Sequence, residues 1–204
     1  MTQHVAIFDL GMVLSTPTGL YEGLATILGC TPAAVEKGFW GPHRHSYDEG
    51  ISDRAYWELA LPLIDGAEVR DLDAILPQLV AADTGGWRKI RDGAQAILEA
   101  LAARGTRVFV LSNAPRSFAD TAAGFDWAHL VERFFFSGVM GVAKPSPEIY
   151  ARVEESMGLT GEALWFVDDK IENVTTASTR GWHSHLWVDD ADTRAWLAAE
   201  GFLS

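Results

Sequence analysis

Short apolar runs, most of them stopped by a polar residue and separated by amphipathic helical stretches, recur along this chain and restrict it to one broad architecture. Five runs read as buried strands: Val5–Leu10, Arg107–Ser112, Arg133–Gly138, Leu164–Asp168 and His185–Val188. They are short and mostly apolar, as strands covered on both faces must be. The stretch Asp92–Arg104, ended by Gly105, leads into the second run with Ile97, Leu98 and Leu101 on one helical face. Ser117–Leu130, Pro147–Met157 and Lys170–Thr179 separate the later runs, and Asp192–Glu200 closes the chain. Pro147 sits at a helix start, and Gly158, Gly181 and Gly201 follow helix ends. This order predicts an α/β, Rossmann-like core with a parallel five-stranded sheet.

One stretch breaks the alternation. From Ser15 to Thr84 the pattern is helical throughout: Leu20–Leu28, Pro32–Phe39 behind an N-capping Thr31, Asp53–Leu63 behind Ser52, and Ala67–Ala82. Thr84-Gly85-Gly86 reads as a linker back to the core. The expected organisation is a catalytic core from residues 1–14 and 85–204, with a small all-helical cap domain at 15–84.

A chain of 204 residues can bury such a core without disulfides, and Cys30, the only cysteine, cannot form one within the chain. Met1-Thr2-Gln3-His4 enters the first apolar run without a basic segment, and no run has bilayer length. A soluble cytoplasmic protein with no membrane partner is expected. The 16 Lys and Arg face 28 Asp and Glu, a net charge of −12 that also argues against nucleic acid as a partner.

The chemistry-bearing residues stand where the apolar runs stop. The first run ends Phe8-Asp9-Leu10-Gly11, the second Leu111-Ser112-Asn113, the fourth Val167-Asp168-Asp169, and Lys144 follows the third. Carboxyl ends of parallel strands converge on one crevice, so these side chains are expected to meet. Taken singly, Asp9 could end a turn, Ser112-Asn113 could start a loop, Asp168-Asp169 could cap a helix and Lys144 could lie in solvent. Jointly, they place the right residue types at consecutive strand ends.

With these residues in view, the chain resembles the haloacid dehalogenase-like hydrolase superfamily, in its small cytosolic phosphatase branches. The likeness rests on Phe8-Asp9-Leu10-Gly11-Met12-Val13-Leu14, Leu111-Ser112-Asn113, Lys144-Pro145-Ser146-Pro147-Glu148-Ile149-Tyr150 and Phe166-Val167-Asp168-Asp169-Lys170-Ile171-Glu172-Asn173-Val174, in the family's order. The helical insert after the first motif matches the family's cap position. The resemblance implies that Asp9 is a nucleophile phosphorylated during hydrolysis of a small soluble phosphate ester, with Ser112 and Lys144 as its catalytic partners. It implies Mg²⁺ as cofactor, held by Asp9, the Gly11 carbonyl, Asp168 and Asp169, the last directly or through water. Asn113 would contact substrate, and Asn173 would tie the loop behind Asp168.

The chain departs from the family at one place. Most family phosphatases carry an acid/base aspartate two residues after the nucleophile; here that residue is Gly11, and Met12 takes the usual glycine. Such a group is typically worth ~10²–10⁴ in rate. Three readings follow: a phosphatase, since some sugar-phosphate phosphatase branches also carry glycine there; a metal-independent 2-haloacid dehalogenase; or a catalytically weak phosphate-ligand-binding protein. Asp168-Asp169 favours the first, because a dehalogenase needs no metal and extra acids would repel a haloacid. The segment Phe39–Asp48, read as a Gly/Pro-broken loop, offers His43 and Arg44 as substrate contacts and a histidine as substitute acid. Its aromatics could equally be packing the cap. The residues leave the ester and the oligomeric state open.

Overall fold

The computed structural model describes residues 4–203, so Met1, Thr2, Gln3 and Ser204 lie outside the described residues. Five parallel strands, β1 (Val5–Phe8), β2 (Arg107–Ser112), β3 (Arg133–Phe136), β4 (Leu164–Asp168) and β5 (His183–Leu186), form one sheet in the order β3-β2-β1-β4-β5. The chain works outward from β1 on one side and then returns to its other side. The strand order therefore reverses beside β1, which is where such sheets open a crevice at their carboxyl ends.

Alternation along each strand divides the core. Val5, Ile7, Phe109, Leu111 and Phe166 pack on one face, while Ala6, Phe8, Val108, Val110 and Val167 pack on the other. The first face is covered by the helices Pro147–Met157 and Ile171–Thr179, through Ile149, Tyr150, Val153 and Ala177. Asp92–Ala103 and Asp190–Ala199 cover the second through Ile97, Leu98, Leu101 and Leu197.

Between β1 and Asp92 stand five helices: α1 (Leu20–Leu28), α2 (Pro32–Phe39), α3 (Arg44–Asp48), α4 (Asp53–Ala60) and α5 (Leu72–Gly85). Thr31 and Ser52 cap α2 and α4, accepting from the N–H groups of Ala34 and Ala55. Phe39, Tyr47, Tyr56 and Trp57 are fully buried here, with Tyr47 and Tyr56 stacked 4.0 Å apart. Among the described residues, no helix is long and apolar enough to cross a membrane.

Several boundaries differ from the sequence expectation. β5 begins two residues early and excludes Val188, which is 64% exposed. As an edge strand it follows the register Trp165↔His183, with those rings stacked 4.1 Å apart, so its pairing is set by polar residues that hydropathy does not flag. β3 stops at Phe136 because Ser137–Met140 turns into a short helix. The expected helix Ser117–Leu130 is Arg116–Ala122 followed by a separate 3₁₀ turn at Ala128–Leu130. Asp53–Leu63 breaks at Ala60, with Pro62 in a 3₁₀ turn. The last helix before Asp92 starts at Leu72 and runs through the expected linker to Gly85. There Asp83 and Thr84 are buried, and Thr84 bonds back to the Val80 carbonyl at 3.0 Å. Tertiary pairing thus holds as helix a segment that glycine content marks as a break. The Phe39–Asp48 segment, expected to be loop, contains α3.

Candidate active site

Asp9 follows β1, Ser112 ends β2, and Asp168 ends β4. Their common strand polarity brings these positions to one edge of the sheet, under a cavity of about 560 Å³. Asp9, Gly11, Ser112, Lys144 and Asp169 line it.

Lys144 is the hub. Its ammonium lies 3.0 Å from Asp9 Oδ1 and 2.6 Å from Asp168 Oδ2, and it donates to the Leu111 carbonyl at 2.8 Å. Three acceptors meet its three protons, so the buried charge is fully matched. Burial works to lower the Lys144 pKa, but Asp168 and Asp9 outweigh it and hold the amine above its ordinary value. Asp168 is wholly buried; its other oxygen accepts from the Lys170 N–H at 2.9 Å and from Asn173 Nδ2 at 2.8 Å. The Tyr150 hydroxyl in turn donates to the Asn173 carbonyl at 3.0 Å.

Asp9 is held asymmetrically. Oδ1 accepts from the Leu10 N–H at 2.8 Å as well as meeting Lys144, while Oδ2 has no hydrogen-bond partner among the described residues. Burial pushes the Asp9 carboxyl up to about 6; Lys144 opposes this, and Asp168 adds to it. The free oxygen is the one available to a reacting centre.

Carboxylate oxygens of Asp9, Asp168 and Asp169 lie within 4.8 Å of one another. One buried ammonium against three carboxylates, with Lys170 near Asp169 alone, leaves a surplus of negative charge that a divalent cation would cancel. The donors are all hard oxygens, and neither the carbonyl nor the N–H of Gly11 has a hydrogen-bond partner among the described residues. The residues therefore fit Mg²⁺.

Other expected site residues take different positions. Asn113 lines the cavity, but its amide exchanges two 2.8 Å bonds with the backbone of Lys144 and so positions that lysine. Arg44 reaches the lining, yet its guanidinium is bonded to Asp48 at 3.0 Å and Asp83 at 3.5 Å and lies 4.5 Å from the Phe39 ring centre. Its charge is matched within the helical layer. His43 is not on the cavity lining; the α3 turn puts His45 there instead, paired with Glu49 at 3.4 Å.

Sequence reasoning missed Tyr21, Trp87 and Arg91. Arg91 donates to the carbonyls of Met12 (2.7 Å) and Val13 and pairs with Asp190 at 2.6 Å, clamping the turn that follows the nucleophile. No local pattern marks these residues, because each acts across a distance of many residues.

Fold and site together define a hydrolase whose parallel, helix-covered sheet carries an aspartate just after its central strand. The chain belongs to the haloacid dehalogenase-like hydrolases, whose sequence pattern matches residues 18–179. It is 30% identical over 141 residues to a phosphatase of Mycobacterium tuberculosis, a match covering 67% of this chain and 61% of that protein. The matched stretch thus spans less than two thirds of that relative's length. An enzyme of this family from Bacteroides thetaiotaomicron, solved with magnesium and inorganic phosphate, superposes with a TM-score of 0.68 at 22% identity, over 90% of this chain and 93% of that one. A family hydrolase from Porphyromonas gingivalis gives 0.70 at 21%, covering 98% and 97%, and a dehalogenase gives 0.69 at 16%, covering 97% and 98%. At these identities the structural likenesses speak to the fold alone.

Proposed function

We propose that the protein is a Mg²⁺-dependent phosphomonoesterase that hydrolyses a small soluble phosphate ester through an aspartyl-phosphate on Asp9. The observation that carries this reading is the trio of carboxylates within 4.8 Å, backed by one lysine. A metal-independent dehalogenase has no use for the surplus acid, which would repel a haloacid carboxylate. The phosphatase among the relatives, and the magnesium and phosphate bound by the Bacteroides enzyme, agree with it.

When bound, Mg²⁺ neutralises phosphoryl charge so that an anionic nucleophile can approach. Asp9, Asp168, the Gly11 carbonyl and Asp169 would hold it. The Leu10 N–H and Lys144 fix Oδ1 of Asp9 and leave Oδ2 to attack phosphorus. Ser112 and the Gly11 N–H line the same cavity as donors for phosphoryl oxygens. Water then attacks phosphorus, releasing phosphate and restoring the carboxylate.

A panel of phosphate esters assayed for phosphate release with Mg²⁺ and with a chelator tests the reading. Release only with Mg²⁺ supports it. Halide released from a 2-haloacid without metal, and no phosphate from any ester, would mean a dehalogenase; phosphate binding without turnover would mean a binding protein.

A further inference from the structure

Gly11 stands where an acid would be expected, and a residue from the far end of the helical insert fills the space beside it. A Cβ built on Gly11 would lie 3.6 and 3.9 Å from two ring carbons of Trp87. That is ordinary contact for a methyl group, but the carboxyl of a longer side chain would have to displace the indole or run along it. Trp87 is buried and belongs to an apolar wall. Trp40 stands edge-on to it with ring centres 6.4 Å apart, and Trp40 Nε1 donates to the Tyr21 hydroxyl at 2.8 Å. Met12 completes the rim. Trp40 and Met12 are 45% and 44% exposed, so large apolar surface remains uncovered at the mouth of the cavity.

The cations on the cavity lining are each set among acids, Lys170 near Asp169 and Asp48, whose pKa values it draws down against burial. Arg44, 5.0 Å from the Trp40 ring centre, is matched by Asp48 and Asp83. Lys144 is matched by Asp9 and Asp168. Of the other acid candidates on the lining, Asp48 is held by Arg44, His45 faces Glu49, and Glu172 is exposed to solvent.

Resting on the phosphatase reading above, we infer that the ester's leaving group is a flat, uncharged aromatic alcohol, seated against Trp40 and Trp87, that departs without a proton from the protein. An aromatic face gains stacking energy on this wall, whereas a sugar would leave its hydroxyls against apolar rings. A phenolic oxygen also carries negative charge far better than an alkoxide, so it tolerates glycine at position 11. In the step, the bond from Asp9 Oδ2 to phosphorus forms as the bond from phosphorus to the aryl oxygen breaks. The electron pair leaves on that oxygen, and the phenolate takes its proton from water afterwards. Hydrolysis of the acyl phosphate by a second water gives inorganic phosphate.

The test is kcat/KM for a series of substituted phenyl phosphates, with glycerol phosphate and a hexose phosphate as comparison and acetyl phosphate, a mixed anhydride, as a small non-aromatic substrate with a good leaving group. Without an acid, kcat/KM should fall at least roughly threefold for each unit rise in leaving-group pKa. Trp40→Ala should lower it roughly tenfold for phenyl phosphates, the scale of one lost aromatic stack, and leave acetyl phosphate within about twofold. Tyr21→Phe, which removes only the hydroxyl holding Trp40, should shift it in the same direction by less. A flat dependence on leaving-group pKa would expose a proton donor, with Glu172 on the lining as the first suspect, and would overturn the inference. Alkyl and sugar esters turned over as well as aryl ones, or a Trp40→Ala loss equal for phenyl and acetyl phosphate, would also overturn it. In each of these cases the phosphatase reading survives. Failure of every ester, with Mg²⁺ present, would overturn both.

Discussion

The Trp87 indole lies against Gly11, so the position where the family resemblance leads one to expect an aspartate is closed by packing as well as by sequence. Gly11→Ala adds one methyl in ordinary contact and should change unfolding free energy by less than about 1 kcal/mol. Gly11→Asp pushes a carboxyl toward the ring and should cost about 1–3 kcal/mol. Urea denaturation of the two variants checks the difference; equal stabilities would mean that Trp87 does not occupy that space.

Met12 has a left-handed backbone, φ 63°, where a non-glycine residue is strained by roughly 1–2 kcal/mol. Glycine relieves that strain but has more conformational freedom to lose on folding. Met12→Gly should therefore be neutral to stabilising by up to about 1 kcal/mol. On the leaving-group inference it should also weaken aryl substrates, because it removes apolar rim. An unchanged or raised melting temperature with a higher KM for phenyl phosphate is the expected pair of results.

Lys144 is the only cation bonded to the two buried carboxylates Asp9 and Asp168, among the described residues. Lys144→Met leaves two like charges facing each other and should destabilise the metal-free protein by about 3–5 kcal/mol. Added Mg²⁺ should recover part of this, so the rise in melting temperature on adding Mg²⁺ should be larger in the variant than in the wild type. A smaller rise would argue against a cation seated among these acids.

In the helical insert, burial pushes the Asp83 carboxyl up to about 6, against the pull of Arg44 and with Asp48 adding to the rise. The folded state therefore binds this proton more tightly than the unfolded chain does, and the stability it confers is fully present below the ordinary aspartate range and lost as pH rises through about 6. Relative to Asp83→Asn, wild-type stability should increase by on the order of 1–3 kcal/mol as pH is lowered from 7 toward 4. Denaturation curves of both proteins across that range measure it; a difference that stays constant or shrinks would contradict the burial argument.

The sheet and the strand-end residues were legible because both arise from local pattern. Apolar runs of strand length place Asp9, Ser112 and Asp168 at their ends, and parallel pairing brings those ends together. β5 was displaced because an edge strand, paired through His183 and Ser184, carries no apolar run to mark it. Arg44 looked like a substrate ligand because its partner Asp83 is remote in sequence, on a helix whose end reads as a linker. Trp87, Tyr21 and Arg91 escaped for the same reason: they reach the site through tertiary packing alone.

The central claim is a covalent intermediate on Asp9, and its direct measurement is the mass of the enzyme quenched in acid shortly after mixing with p-nitrophenyl phosphate. With no aspartate at position 11 to activate water, breakdown of the intermediate should be slow enough for it to accumulate. One added phosphoryl group is expected on the peptide containing Asp9, formed with Mg²⁺, absent with a chelator and absent in Asp9→Asn. Steady turnover with no adduct, an adduct formed without metal, or one located on Ser112 would contradict it.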